Sequence, residues 1–274
     1  MKGKTKLIGD FKVHPIGIGT WGIGGYMEPV LGNEEKEIEA IRYSIRKGQD
    51  HIDTAEMYGK GHSEEVVGMA IEGFDRERLF IASKVHRNYT DSGDVLFSVE
   101  KILKRLNTEY LDLIYLHSYW EDENMGKYLE GINKVVKKGL ARSLAVSNFN
   151  VEELKWSIAK TSYPISANQL NYNVLYKTEV TKEMVELCLK EEIAIVAYRP
   201  VERKLLADKC EDETVLKLAQ KYNKTPAQIA INWLISQKNV IAIPKAVEKE
   251  HIDENIGAMD FQIEENDMVL LNNL

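Results

Sequence analysis

Two cysteines in 274 residues, Cys188 and Cys210, leave little from which to build a disulfide framework. They lie far apart and form no CxxC pair, which suits a reducing compartment and excludes a structural zinc site of the usual spacing. No apolar stretch reaches the ~20 residues of a membrane span. The opening Met1-Lys2-Gly3-Lys4-Thr5 lacks the apolar core of a secretory signal. These absences make a soluble, cytoplasmic protein with no membrane partner the expectation. A basic stripe is missing as well: Lys and Arg number 36 against 43 Asp and Glu, a net charge of −7. Phosphate backbones therefore find no cationic surface, and nucleic acid is excluded as a partner. No low-complexity linker or composition break divides the chain. Length alone suggests about two domains, but α/β barrels of roughly 250 residues fold as one, and one domain over residues 1–274 is expected.

What the sequence has is a series of apolar runs, each ending in a residue with chemical potential. His51-Ile52 leads to Asp53, with Tyr58 close behind; Leu79 to Ser83 ends at Lys84; Leu113 to Leu116 ends at His117; Leu144 to Ser147 ends at Asn148. Short continuous apolar runs of this kind predict strands covered on both faces, as in a parallel sheet. Further strands are expected at Ile16–Gly19, Pro164–Asn168, Ile193–Ala197 and Val240–Ile243, with a hairpin over Leu7–Val13 at the barrel's lower end. Helical signals alternate with them. Asn33 and Gly48 bracket the first helix, Ser63 and Gly73 the second, and Val95, Leu96, Val99, Ile102, Leu103 and Leu106 repeat at helical spacing behind Ser92. Asn150 with Glu153 reads as a capping box, and Thr225-Pro226 as a cap with proline at the first helical position. An additional helix, Glu213 to Tyr222, fits the loop after the seventh strand. The early strand ends recur about thirty residues apart, the length of one strand–helix unit. The fold class is α/β, a (β/α)8 barrel in a single domain, whose active site lies at the C-terminal strand ends.

A lone Asp, Tyr or His at a strand end is more often structural than catalytic. Lys84 is harder to dismiss, because a buried ammonium needs a carboxylate, and Asp53 ends the neighbouring strand. A free tyrosine, with a pKa of about 10, is a poor acid at neutral pH. Lys84 beside Tyr58 is expected to lower that value toward working pH. His117 is placed to orient a carbonyl oxygen. The group fits proton delivery to a carbonyl, yet offers no nucleophile, metal site or redox group of its own, so reduction needs a hydride from a bound cofactor. Later strand ends offer Ser147, Asn148 and Gln169 to grip a carboxamide, and Tyr198 as a flat face for a ring. Pro244-Lys245, just before a helix, forms an anion site.

These residues stand in motifs that resemble the aldo-keto reductase family across essentially the whole chain. The motifs are Gly19-Thr20-Trp21, Asp53-Thr54-Ala55-Glu56-Met57-Tyr58-Gly59, Ser83-Lys84, Leu116-His117, Ser147-Asn148-Phe149, Asn168-Gln169, Ala197-Tyr198-Arg199-Pro200, Ile243-Pro244-Lys245 and Glu254-Asn255. There is no GxGxxG fingerprint, in keeping with a family that binds nicotinamide cofactors without a Rossmann domain. The resemblance implies a catalytic tetrad of Asp53, Tyr58, Lys84 and His117, with Tyr58 as general acid in reduction and base in oxidation. It implies that Ser147, Asn148 and Gln169 hold the nicotinamide carboxamide, with Tyr198 under the ring and Arg199 and Pro200 beside it. Lys245, Ala246, Val247, Glu248, His251, Glu254 and Asn255 then meet the adenosine side. Trp21, Tyr119 and Trp120 are expected to line an open substrate pocket, the chain lacking the long C-terminal loop of many eukaryotic members.

The resemblance implies NADP(H), favoured by Lys245. Ala246, Glu248 and His251 depart from the usual Ser, Thr and Arg of the 2′-phosphate site, which keeps NAD(H) in play. No metal is expected; the partner is a small carbonyl or alcohol substrate. Two other functions compete: a non-catalytic cofactor-binding sensor subunit, and a barrel aldolase using Lys84 or Lys245 as a Schiff base. Borohydride trapping of a carbonyl substrate onto either lysine marks the aldolase. A cofactor that binds but never turns over with a carbonyl panel marks the sensor.

Overall fold

The computed structural model describes residues 5–86, 92–119, 124–202 and 205–274. Its centre is a parallel sheet of eight strands in sequential order: β3 Ile18–Gly19, β4 His51–Asp53, β5 Phe80–Val85, β6 Leu111–Leu116, β7 Ala141–Ser147, β8 Ile165–Asn171, β9 Ala194–Tyr198 and β10 Val240–Ala242. The sheet closes on itself between its first and last members. Ile16 bridges Ala242 in parallel, Gly17 N donates to Ala242 O at 2.8 Å, and Gly19 N donates to Pro244 O at 3.0 Å. An antiparallel hairpin, β1 Lys6–Ile8 and β2 Phe11–Val13, precedes the barrel. Its buried Ile8 and Val13 join the interior cluster with Phe80, Leu113 and Ile241, so the hairpin does plug the barrel.

Strand periodicity of two sorts β5 cleanly. Phe80 and Ala82 face the interior cluster, while Ile81 and Val85 join the outer core between sheet and helices. Small residues at interior positions, Ala82, Ala145, Ala167 and Ala194, leave room for larger neighbours, Phe80 and Tyr115. Register brings the strand tops together: Gly19 pairs with Asp53, Lys84 with Tyr115, Ser147 with Gln169, and Asn171 with Tyr198.

The described helices are α1 Glu34–Arg46, α2 His62–Ile71, α3 Ser92–Leu106, α4 Met125–Lys137, α5 Val151–Lys160, α6 Lys182–Lys190, α7 Glu213–Tyr222, α8 Pro226–Ser236, α9 Lys249–Gly257 and α10 Glu265–Asn272. The capping box at Asn150 and Glu153 forms, and Thr225 caps α8 in a second box with Gln228. Helix α7 occupies the span expected for the additional helix. Three local expectations need correction. Asn33 sits at the start of α1 without a side-chain cap bond. Ser63 is not a cap, because α2 begins at His62 after Gly61 in the left-handed region; Ser63 is buried and donates to the Thr20 hydroxyl at 3.0 Å. Strand β8 runs on to Asn171, so Gln169 lies within it rather than at its end.

The closing seam depends on glycine for space. A Cβ on Gly19 would stand 2.5 Å from the Ile243 carbonyl oxygen, a backbone atom that cannot swing away. We expect Gly19→Ala to lower stability by about 2 kcal/mol. A urea midpoint equal to the parent's would show that the seam yields freely.

Candidate active site

Asp53 ends β4, Lys84 lies near the end of β5 on its interior side, and His117 directly follows β6. Tyr58 opens a short 3-10 turn, Tyr58–Gly61, five residues beyond Asp53. Parallel pairing carries these four positions to one mouth. Lys84 is 0 % exposed, and its ammonium has three hydrogens to place. Each finds an acceptor: Asp53 Oδ1 at 2.5 Å, the Thr54 carbonyl oxygen at 2.8 Å and the Tyr58 hydroxyl at 3.4 Å. The other Asp53 oxygen accepts from Gln169 Nε2 at 2.7 Å. Burying two charges costs several kcal/mol each unless such bonds replace water, and here they do. The ammonium also lies 5.0 Å from the Tyr58 ring centroid and 5.6 Å from that of Tyr115.

Burial works against the Lys84 charge, but Asp53 and Tyr58 outweigh it and hold the ammonium above its ordinary value. For Tyr58 the balance corrects the expectation from sequence. Burial raises the phenol, Lys84 lowers it, Asp53 raises it again, and the net shift is upward. Neighbouring Lys84 therefore limits the rise rather than bringing the phenol to neutrality, so Tyr58 is protonated at neutral pH. His117 is pushed well down, by burial first and then by Lys84 and His86. It is a neutral imidazole, and its buried Nδ1 has no partner among the described residues.

Five rings in edge-to-face contact cross the mouth. Tyr26 meets Trp21 at 5.4 Å, Trp21 meets Tyr58 at 4.8 Å, Tyr58 meets His117 at 6.1 Å, and His117 meets His86 at 6.0 Å. His86 and Tyr26 went unnoticed in the sequence. The signal for His86 was its place two residues beyond Lys84, on the same side of the chain. Tyr119, expected in the pocket, packs on Phe149 and Trp156 at 5.3 and 5.9 Å. Trp120 lies outside the described residues.

The amide-bearing residues do assemble beside His117. Asn148 Nδ2 donates to the His117 carbonyl oxygen and to Ser147 Oγ, while its Oδ1 accepts from the Tyr198 hydroxyl at 2.9 Å. Ser147 Oγ donates to the Gln169 carbonyl oxygen at 3.1 Å. Gln169 differs from expectation in sending its amide nitrogen to Asp53. Arg199 lies 5.8 Å from the Tyr198 ring, and Pro200 is buried beyond it. The adenosine-side candidates form a separate group from β10 into α9. Lys245 is exposed, Ala246 and Val247 are half-buried, and Glu248 precedes the first turn of α9. Glu248 caps no N–H of that helix and instead pairs with Lys36 of α1. His251 and Glu254 pair at 3.3 Å, and Asn255 is buried beside them. Among the described residues no group of three or more His, Cys, Asp or Glu side chains could hold a metal ion, and no helix is long and apolar enough to cross a membrane.

A sequence profile of the Aldo/keto reductase family matches residues 15–274. The chain belongs to the aldo-keto reductase family. Methylglyoxal reductase YeaE of Escherichia coli is 30% identical over 96% of this chain and 91% of its own length. Glyoxal reductase of Bacillus subtilis is likewise 30% identical, over 98% and 91%. Among solved structures, the thermostable aldo-keto reductase Tm1743 in complex with the inhibitor epalrestat superposes with a TM-score of 0.94 at 38% identity, covering 100% of this chain and 99% of that one. The aldo/keto reductase of Klebsiella pneumoniae in complex with NADP and acetate gives 0.89 at 29%, covering 100% and 95%. In this aldo-keto reductase hydrogen bonds join Asp53, Lys84 and Tyr58, and the His117 ring stands edge-on to that of Tyr58.

The depressed imidazoles fix a sign for stability. His117 and His51, the latter also lowered chiefly by burial, bind fewer protons folded than unfolded. Their contribution is complete above the unfolded value of about 6.5 and is lost as pH falls below it. We expect His117→Gln to lose less stability than the parent between pH 7.5 and 5.5 in urea denaturation. Equal losses would mean that His117 is free to charge in the fold.

Proposed function

We propose that this protein reduces small aldehydes and ketones, 2-oxoaldehydes among them, with NADPH, and that Asp53, Tyr58, Lys84 and His117 carry the proton chemistry. The observation behind this reading is the buried ammonium whose three hydrogens go to a carboxylate, a carbonyl and the Tyr58 phenol. A proton leaving that phenol leaves an anion already facing a fixed positive charge. The names of the Escherichia coli and Bacillus subtilis relatives, reductases of methylglyoxal and glyoxal, support the substrate class.

The residues present fit a nicotinamide dinucleotide. The uncapped first turn of α9 beside Lys245 suits a phosphate, and the Ser147–Asn148–Tyr198 group stands next to His117 at the mouth. When bound, the cofactor supplies the hydride. A substrate carbonyl oxygen accepts from the Tyr58 hydroxyl and from His117, whose neutral ring competes little for the proton. Charge developing on that oxygen draws the proton from Tyr58, and Lys84 stabilises the phenolate that remains. Asp53, tied by Gln169, holds Lys84 in place. Trp21, beside Tyr58, forms the apolar wall of the pocket. Tyr119 serves through packing.

For the choice of cofactor, Glu248 does not act alone. Lys36 pairs with it and draws its carboxyl below the ordinary range, ahead of smaller effects from His251 and Lys245. Lys36, Lys245 and His251 then make the region hospitable to a 2′-phosphate. NADP(H) is the cofactor this arrangement favours, as in the Klebsiella pneumoniae structures that hold NADP and NADPH. NAD(H) is the weaker alternative.

The direct test is NADPH consumption with methylglyoxal and 4-nitrobenzaldehyde. Tyr58→Phe is expected to lower kcat by about a thousandfold, within the range of general acid catalysis, with NADPH still bound. Wild-type turnover in that variant would remove Tyr58 from proton transfer. Glu248→Ser frees Lys36 and is expected to tighten NADPH binding several-fold in a fluorescence titration. Unchanged binding would place Glu248 outside the cofactor site.

A further inference from the structure

We propose that Glu64 and Arg105 form a positioning clamp that fixes the Tyr58 phenol against Lys84 from outside the barrel wall, an inference that rests on the reductase reading above. Ser83, one residue before Lys84, faces away from the interior, and its hydroxyl donates to Glu64 Oε1 at 2.5 Å. Glu64 is fully buried in the first turn of α2, and its Oε2 accepts from Arg105 Nε of α3 at 2.6 Å. The arginine stem runs against Gly61. A Cβ at Gly61 would come within 2.6 Å of Arg105 Nε and 2.7 Å of its Cδ. Gly61 ends the turn that Tyr58 begins. One ion pair therefore touches both the strand presenting Lys84 and the turn presenting the phenol.

That turn needs an external hold. Gly59, Lys60 and Gly61 are consecutive left-handed residues, with φ of 55°, 54° and 96°. Lys60 carries a Cβ and is disfavoured there. Gly59 N donates to the Tyr26 carbonyl oxygen at 2.6 Å, and a Cβ on Gly59 would stand 2.4 Å from the Gly24 oxygen, so the inner side of the turn is also tightly held. The clamp supplies the outer side. Its charges depend on each other. Burial raises the Glu64 carboxyl, Arg105 and Ser83 oppose the rise, Glu56 adds to it, and the balance leaves the group at about 7. Apolar packing could match a buried ion pair in stability, but it could not direct hydrogen bonds at Ser83 while filling the space over Gly61.

The test compares Arg105→Met, Glu64→Gln and Arg105→Lys with the parent. We expect kcat per cofactor-binding site to fall 10- to 100-fold in the first two, with the KM for aldehyde and the Kd for NADPH within threefold of the parent. Arg105→Lys, which restores a cation to Glu64, should recover most of the loss. A readout independent of turnover is the ¹⁹F resonance of 3-fluorotyrosine placed at position 58, expected to shift or broaden in Arg105→Met without substrate. An unchanged kcat per site with an unchanged ¹⁹F line overturns the clamp. A parent that reduces no carbonyl overturns the reductase reading instead, and the ¹⁹F comparison then decides the clamp alone.

Discussion

A lysine ammonium held wholly inside a barrel is the constraint from which the rest of the mouth follows. Lys84 can remain charged there because Asp53 faces it and three acceptors take its three hydrogens. Leaving either charge without its partner would cost several kcal/mol. The carboxylate needs its own support, which Gln169 brings from across the barrel. The phenol completes the shell, so proton chemistry at Tyr58 and the stability of the buried pair depend on the same atoms.

The barrel makes this possible by how it divides space. Alanines along its inner wall leave volume for Tyr115, Phe80 and the lysine stem, while the hairpin fills the lower end. Sequential parallel pairing puts each strand's last residues on one rim, and the glycine seam between Pro15 and Pro244 lets the first and last strands meet. The same rim presents apolar rings at Trp21 and Tyr26, and imidazoles at His117 and His86.

Much of this was legible because it is local. Apolar runs that stop at Asp53, Lys84 and His117 revealed both the strands and the mouth, and the Asn150 and Thr225 caps marked their helices. The parts that escaped depend on distant contacts or on depth. The bond from Gln169 to Asp53 joins residues on opposite sides of the barrel, and the pair of Lys36 and Glu248 joins α1 to α9. No spacing rule links either. Ser63 is a residue type that caps helices, but the left-handed backbone of Gly61 turns the chain into α2 already at His62, which no side-chain preference reveals. The acidity of Tyr58 depends on how deeply it is buried, which proximity to Lys84 does not reveal. Which of Glu64 and Glu65 faces inward was equally hidden, since both lie at the start of the same helix.

The Lys84–Asp53 pair, taken together, makes the Tyr58 phenol a better acid than burial alone would leave it. Alcohol oxidation with NADP⁺ followed against pH reports the phenolate directly, because in that direction Tyr58 must first lose its proton. In the doubly substituted Lys84→Met, Asp53→Asn protein, which leaves no unpaired charge, the rise in kcat/KM is predicted to move upward by about one pH unit or more. A profile superimposable on the parent's would mean that the pair does not set the acidity of Tyr58.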